Sequence, residues 1–265
     1  MSEIGPSSQP ENEALATGGS LADEGVRPGV CSTGDAELFW GWHDFFLFLM
    51  ITLVALGAAM LGAAGIRHMF HLSETRMNIV FVAGQFAAYG VSFTCLKLMF
   101  CAEYGEPLLR SLGWRPSRLL PGTLASIGLG QAFAIAIIGS LMSVPQTENP
   151  MTRLMSDRPT SIVLAVLGVT IAPVAEELAF RGLLQPLAIR MVGVLPGILG
   201  TAVLFGFMHL GQYESWQSVA LIGLAGAGFG AMRHWTGSTR ASAIMHAGYN
   251  SALFILFFAK KGSPS

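Results

Sequence analysis

Apolar residues run along this chain in blocks of about twenty, separated by short polar connections. A helix that crosses the hydrocarbon core of a bilayer needs about 20 mostly apolar residues. On that measure the pattern predicts seven spans, at residues 38–66, 77–101, 119–144, 160–189, 192–210, 215–232 and 241–259. Residues 45–66 and the whole of 119–144 carry no charge. Trp40, Trp42 and Phe45 open the first block, as an interfacial aromatic belt does. Lys97, near the end of the second, is placed to snorkel. Gly223, Gly226, Gly228 and Gly230 give the sixth block a face of small residues for close helix packing. The expected fold class is all-α, a polytopic membrane protein of about seven transmembrane helices in one bundle over residues 38–261. Short connections after the third block predict that the last four helices pack together.

Composition agrees. The 265 residues are 52% hydrophobic and 12% charged, with mean hydropathy +0.56. Soluble domains carry roughly 25% charged residues, so this chain lacks the polar surface to face water all round. Residues 1–37 differ: they are rich in Gly, Pro, Ser and acids, with seven acids against the single base Arg27. That predicts a disordered, solvated acidic tail. It has no basic segment followed by an apolar core, so it does not read as a cleavable signal peptide. Nothing in the chain forms the basic patch that nucleic acid requires. Cys31, Cys95 and Cys101 lack metal-ligand spacing and read as free thiols. The loop 103–118 carries Arg110, Arg115 and Arg118. Under the positive-inside bias this favours a cytoplasmic tail, although Lys260 and Lys261 argue the other way.

Against this background the polar residues inside the apolar blocks carry the chemistry. A charge at the centre of a membrane helix costs roughly 2.5–3.5 kcal/mol on insertion scales, so an intramembrane acid is a functional candidate. Glu176, Glu177 and Arg181 all lie in the fourth block, Glu176 three residues beyond the helix-kinking Pro173. Glu177 and Arg181 are four apart with the acid first, the favourable order for a helical ion pair. Glu176 is rotated about 100° away, which frees it for chemistry. His209 closes the fifth block, and His246 and Asn250 sit four apart on one face of the seventh.

One carboxylate, two imidazoles and one carboxamide supply the inventory for hydrolysis of an amide by water. Glu176 would act as general base, with His209 orienting the water or passing a proton. His246 and Asn250 would donate to the developing oxyanion. No Gly-x-Ser-x-Gly turn and no His-Glu-x-x-His zinc signature occurs. Two alternatives use the same residues: a zinc protease with Glu176, His209 and His246 as ligands, or an ion-coupled transporter with the acids as relay. A non-catalytic membrane scaffold is a third.

Glu176-Glu177-x-x-x-Arg181, Phe205-x-x-x-His209 and His246-x-x-x-Asn250, in that order on separate blocks, resemble the CAAX-protease and bacteriocin-processing family of intramembrane endopeptidases. The resemblance covers residues 160–255, and Leu112-Gly113-Trp114-Arg115-Pro116 is similar to a loop upstream in that family. It implies a glutamate-dependent peptidase without metal or other cofactor. Glu176 and His209 would activate water, His246 and Asn250 would form the oxyanion site, and Glu177 and Arg181 would give structural support. Its partners would be the bilayer and a peptide or membrane-protein substrate, lipidated or not. The location it implies is the bacterial cytoplasmic membrane.

Overall fold

The computed structural model describes residues 38–142, 144 and 148–262; the acidic tail expected at residues 1–37 lies outside them. The described residues form helices joined by short turns, and no strand occurs among them. In order these are α1 (Trp42–Phe70), α2 (Glu74–Met99), α3 (Leu108–Ser111), α4 (Pro121–Leu141), α5 (Pro150–Ser156) and α6 (Arg158–Val169). Then follow α7 (Ile171–Glu177), α8 (Gln185–Val192), α9 (Val194–Phe207), α10 (Leu210–Tyr213), α11 (Trp216–Thr236) and α12 (Thr239–Gly262). Wider π-helical turns extend α2 at Phe100–Tyr104 and join α7 to α8 at Leu178–Leu184. Cys95 and Cys101 are free thiols.

The chain is an all-α polytopic membrane protein, but among the described residues the count of seven spans is corrected to five or six. Trp42–Phe70, Glu74–Tyr104, Pro121–Leu141, Val194–Tyr213 and Thr239–Lys261 are long and apolar enough to cross a bilayer. The pair Arg158–Val169 and Ile171–Val192, bent by 43° at its junction, is long and apolar enough to make a sixth if it forms one broken span rather than a re-entrant loop. The segment expected as the sixth block is a 21-residue helix, α11, yet it is not apolar enough to qualify. Its sequence spends positions on four glycines and on Gln217, Arg233 and His234. Those glycines serve packing instead. A Cβ at Gly226 would meet Phe205 and Arg181, and one at Gly230 would meet Gln185 and Ile198. The helix is thereby drawn against α9 and the π-helical turn.

Two apolar clusters hold the bundle. Trp40, Phe48, Leu96, Phe100, Leu183 and Leu187 form one, which joins α1 and α2 to α8 and the turn before it. Leu124, Ala132, Phe229, Met232, Met245 and Tyr249 form the other, between α4, α11 and α12. In the second, α4 and α12 approach backbone to backbone. A Cβ at Gly128 would collide with the Met245 carbonyl, and one at Gly248 with the backbone of Ala125. Large apolar side chains such as Met50, Val54, Leu61, Phe133 and Ile255 point outward, the arrangement of a lipid-facing surface.

The bend between α6 and α7 has a local cause. Proline lacks an N–H and its ring crowds the carbonyl four residues back. For Pro173 that carbonyl belongs to Val169, the last residue of α6. Thr170 departs from helical geometry there, at φ −111° and ψ −75°. The chain restarts as α7 and carries Glu176 and Glu177 into the middle of the bundle.

Candidate active site

Glu177 has no exposed surface, and neither has Arg181. The pair expected from the i,i+4 spacing forms, with Arg181 Nη1 3.0 Å from Glu177 Oε1. Arg181 Nη2 donates to the Gly226 carbonyl at 2.7 Å, and the guanidinium lies over the Phe205 ring, 4.5 Å from its centroid. Two ions buried so deeply are costly unless most of their remaining hydrogen-bonding capacity is met, and of the Arg181 nitrogens Nε is left without a partner. Glu177 has two further partners on α12. Ser242 donates its hydroxyl to Oε2, and His246 Nδ1 lies 3.0 Å from Oε1.

That last contact fixes the proton on His246. A carboxylate only accepts, so Nδ1 carries hydrogen and the ring turns Nε2 to the opposite side. There it meets Glu176, at 3.9 Å from Oε2. The imidazole is stacked on Phe229, with centroids 4.3 Å apart and planes inclined by 19°. Glu176 keeps 23% of its side-chain surface exposed, and Arg181 is engaged with its neighbour. The adjacent acids are thus differentiated: one saturated and sealed, the other partly open and facing an imidazole. Tyr89 on α2 and Tyr213 on α10 lie within electrostatic range of Glu176, so its surroundings come from several helices.

His209 follows the end of α9. Its Nδ1 lies 2.8 Å from the carbonyl oxygen of Phe205, which also only accepts. The neutral ring therefore keeps a lone pair on Nε2. His209 and His246 flank the same aromatic ring, Phe205, at centroid distances of 4.9 Å and 5.8 Å. Asn250, one turn beyond His246, donates Nδ2 to the Gly168 carbonyl at 2.7 Å. Gly168 sits at the end of α6, where carbonyls lose their helical partners. Among the described residues no three His, Cys, Asp or Glu side chains are grouped so as to hold a metal ion.

Glu176, Glu177 and His246 thus come into direct proximity, His209 joins them across Phe205, and Asn250 is tied to the helix break beside them. Two contributors escaped the sequence reading. Ser242 lies four residues before His246, so the helical period puts both on one face of α12, and that spacing was the available signal. Phe229 has no such signal, because only tertiary packing brings α11 over the imidazole.

No curated protein and no solved structure matches the chain. Residues 158–252, from the start of α6 into α12, match the family described as Rce1-like, type II CAAX prenyl endopeptidase. The matched stretch contains Glu176, Glu177, Arg181, His209, His246 and Asn250, and its description is that of a protease family. Over residues 158–252, a little over a third of its length, the chain is similar to the Rce1-like family.

Proposed function

We propose that this protein is an intramembrane endopeptidase that cleaves membrane-associated or lipidated peptides with a water activated by Glu176 and His209. The observation that carries the reading is the contrast between the two adjacent acids. Glu177 is spent on Arg181, Ser242 and His246, whereas Glu176 is partly open and 3.9 Å from His246 Nε2. That separation exceeds a direct hydrogen bond, and it suits two groups that share one water or one substrate oxygen in the reaction.

In this reading Glu176 takes a proton from the water as it attacks the scissile carbonyl. His209, with Nε2 as its acceptor, orients the water, and the proton taken up by Glu176 then passes by way of His209 Nε2 to the leaving amine, which restores both groups. His246, in its doubly protonated form, donates Nε2–H to the oxyanion. The Asn250 carboxamide has a second N–H besides the one engaged by Gly168, and this donates to the same oxygen. Glu177 and Arg181 act through His246, holding its ring and its tautomer. The family description points to prenylated C-terminal peptides as one substrate class. The test is comparison of protein termini in cells carrying wild type or Glu176→Gln. A terminus present only with the wild type identifies a substrate, and identical termini in both overturn the reading.

A further inference from the structure

Away from the acids, two arginines are held together where α3 leads into α4 and where α11 turns into α12. Arg115 donates Nε to the Gly237 carbonyl at 2.8 Å, and Arg233 donates Nε to Thr239 Oγ1 at 2.8 Å. The same turn is fastened to residues 112–115 from three further directions. Thr239 N–H donates to the Gly113 carbonyl at 3.0 Å, and Thr239 Oγ1 to the Leu112 carbonyl at 2.6 Å. The Ser238 hydroxyl donates to the Arg115 carbonyl.

Close packing holds the guanidinium groups in place as well. A Cβ at Gly113 would lie 2.5 Å from Arg233 Nη2, and one at Gly237 would run into Arg115 Nη2. Both glycines have positive φ, 72° and 65°, so the loop geometry excludes side chains there on two grounds. The two guanidiniums lie within electrostatic range of each other. Among the described residues neither has a carboxylate partner, and their Nη groups have no acceptor. Free arginine side chains of like charge swing apart. Here each Nε is bonded to a fixed acceptor, so the fold itself maintains the repulsion.

We propose that Arg115 and Arg233 form a binding site for a phosphate-bearing anion at the level of the lipid headgroups. A guanidinium fork matches a pair of phosphate oxygens and binds them bidentately, and a single phosphate between two forks removes their mutual repulsion. The spans Pro121–Leu141 and Thr239–Lys261 begin beside these residues, which sets the pair at the membrane boundary where lipid phosphates lie. The site is remote in sequence from Glu176 and does not depend on the peptidase reading.

The test is thermal unfolding of the full-length protein in an uncharged detergent, with dioctanoyl phosphatidylglycerol, inorganic phosphate or phosphate-free dioctanoylglycerol added. Phosphatidylglycerol should raise the wild-type midpoint saturably, and dioctanoylglycerol should not. Binding should weaken by about tenfold in Arg115→Gln, a change at an exposed side chain, and should be lost in Arg115→Gln/Arg233→Gln. Arg115→Lys, which keeps the charge without the fork, should fall between. An equal response to inorganic phosphate assigns the site to free phosphate, and a response to the lipid alone assigns it to headgroups. Absence of a saturable response to either probe overturns the proposal. So does an Arg115→Gln loss no greater than that of Arg240→Gln, which removes an exposed charge outside the pair.

Discussion

Replacing Glu177 by Gln removes the negative member of an ion pair whose two side chains have no exposed surface. Breaking such a pair from one side costs about 3–5 kcal/mol, because the surviving charge stays buried. The amide oxygen of Gln still accepts one hydrogen bond, and Arg181 retains the Gly226 carbonyl and the Phe205 ring. Those survivors place the expected loss at the lower end, about 3 kcal/mol. Replacing both partners, as in Glu177→Leu/Arg181→Met, removes the stranded charge and should recover most of that loss. Activity should not recover with it, since leucine leaves His246 Nδ1 without its acceptor. The assay is denaturant unfolding of the purified proteins in one lipid–detergent mixture at pH 7, beside peptide cleavage. A loss below about 1 kcal/mol for Glu177→Gln, within reach of an ordinary exposed substitution, would refute the reasoning. A double variant no more stable than the single one would refute it as well.

Asn250→Ala strands the Gly168 carbonyl at the helix break and should cost about 1 kcal/mol in the same unfolding assay. Its loss of cleavage should exceed what that destabilisation explains. Gly128→Ala drives a methyl group into the Met245 carbonyl and should destabilise by about 1–3 kcal/mol through overpacking, read as a lowered unfolding midpoint. Asp157, at the start of α6, is held below the usual carboxylate range. The cause is first its bond from the Thr160 hydroxyl, with further bonds from Thr75 and the Thr160 N–H. A depressed carboxylate stabilises the fold above its unfolded value of about 3.9 and loses that contribution as pH falls through its folded value. The stability gap between wild type and Asp157→Asn should therefore be constant near neutrality and should shrink below about pH 4.

Much of this architecture is written in local sequence, and what is missing is tertiary. Blocks of about twenty apolar residues locate α1, α2, α4, α9 and α12 because hydropathy is a local property and bilayer thickness sets their length. The same criterion fails for α11, where glycines chosen for contact with α9 and Gln185 lower the hydropathy of a helix enclosed by others. Pro173 announces a bend, and the observed break sits at Thr170 because the ring crowds the carbonyl four residues earlier. The Glu177–Arg181 pair was legible from its spacing. The engagement of Glu177 with His246 and Ser242 was not, since it joins residues on two helices 65 and 69 positions apart. Asn250 was read only as a companion of His246, and its bond to Gly168 depends on where α6 ends.

The most direct measurement is cleavage of a membrane-inserted peptide by purified wild type, Glu176→Gln and His209→Ala, each with and without a chelator. The account predicts cleavage by wild type unaffected by chelation. It predicts none by either variant, with both retaining the wild-type unfolding midpoint to within a few degrees, roughly 1 kcal/mol. Wild-type turnover by Glu176→Gln, or chelator-abolished activity restored by zinc, would contradict it.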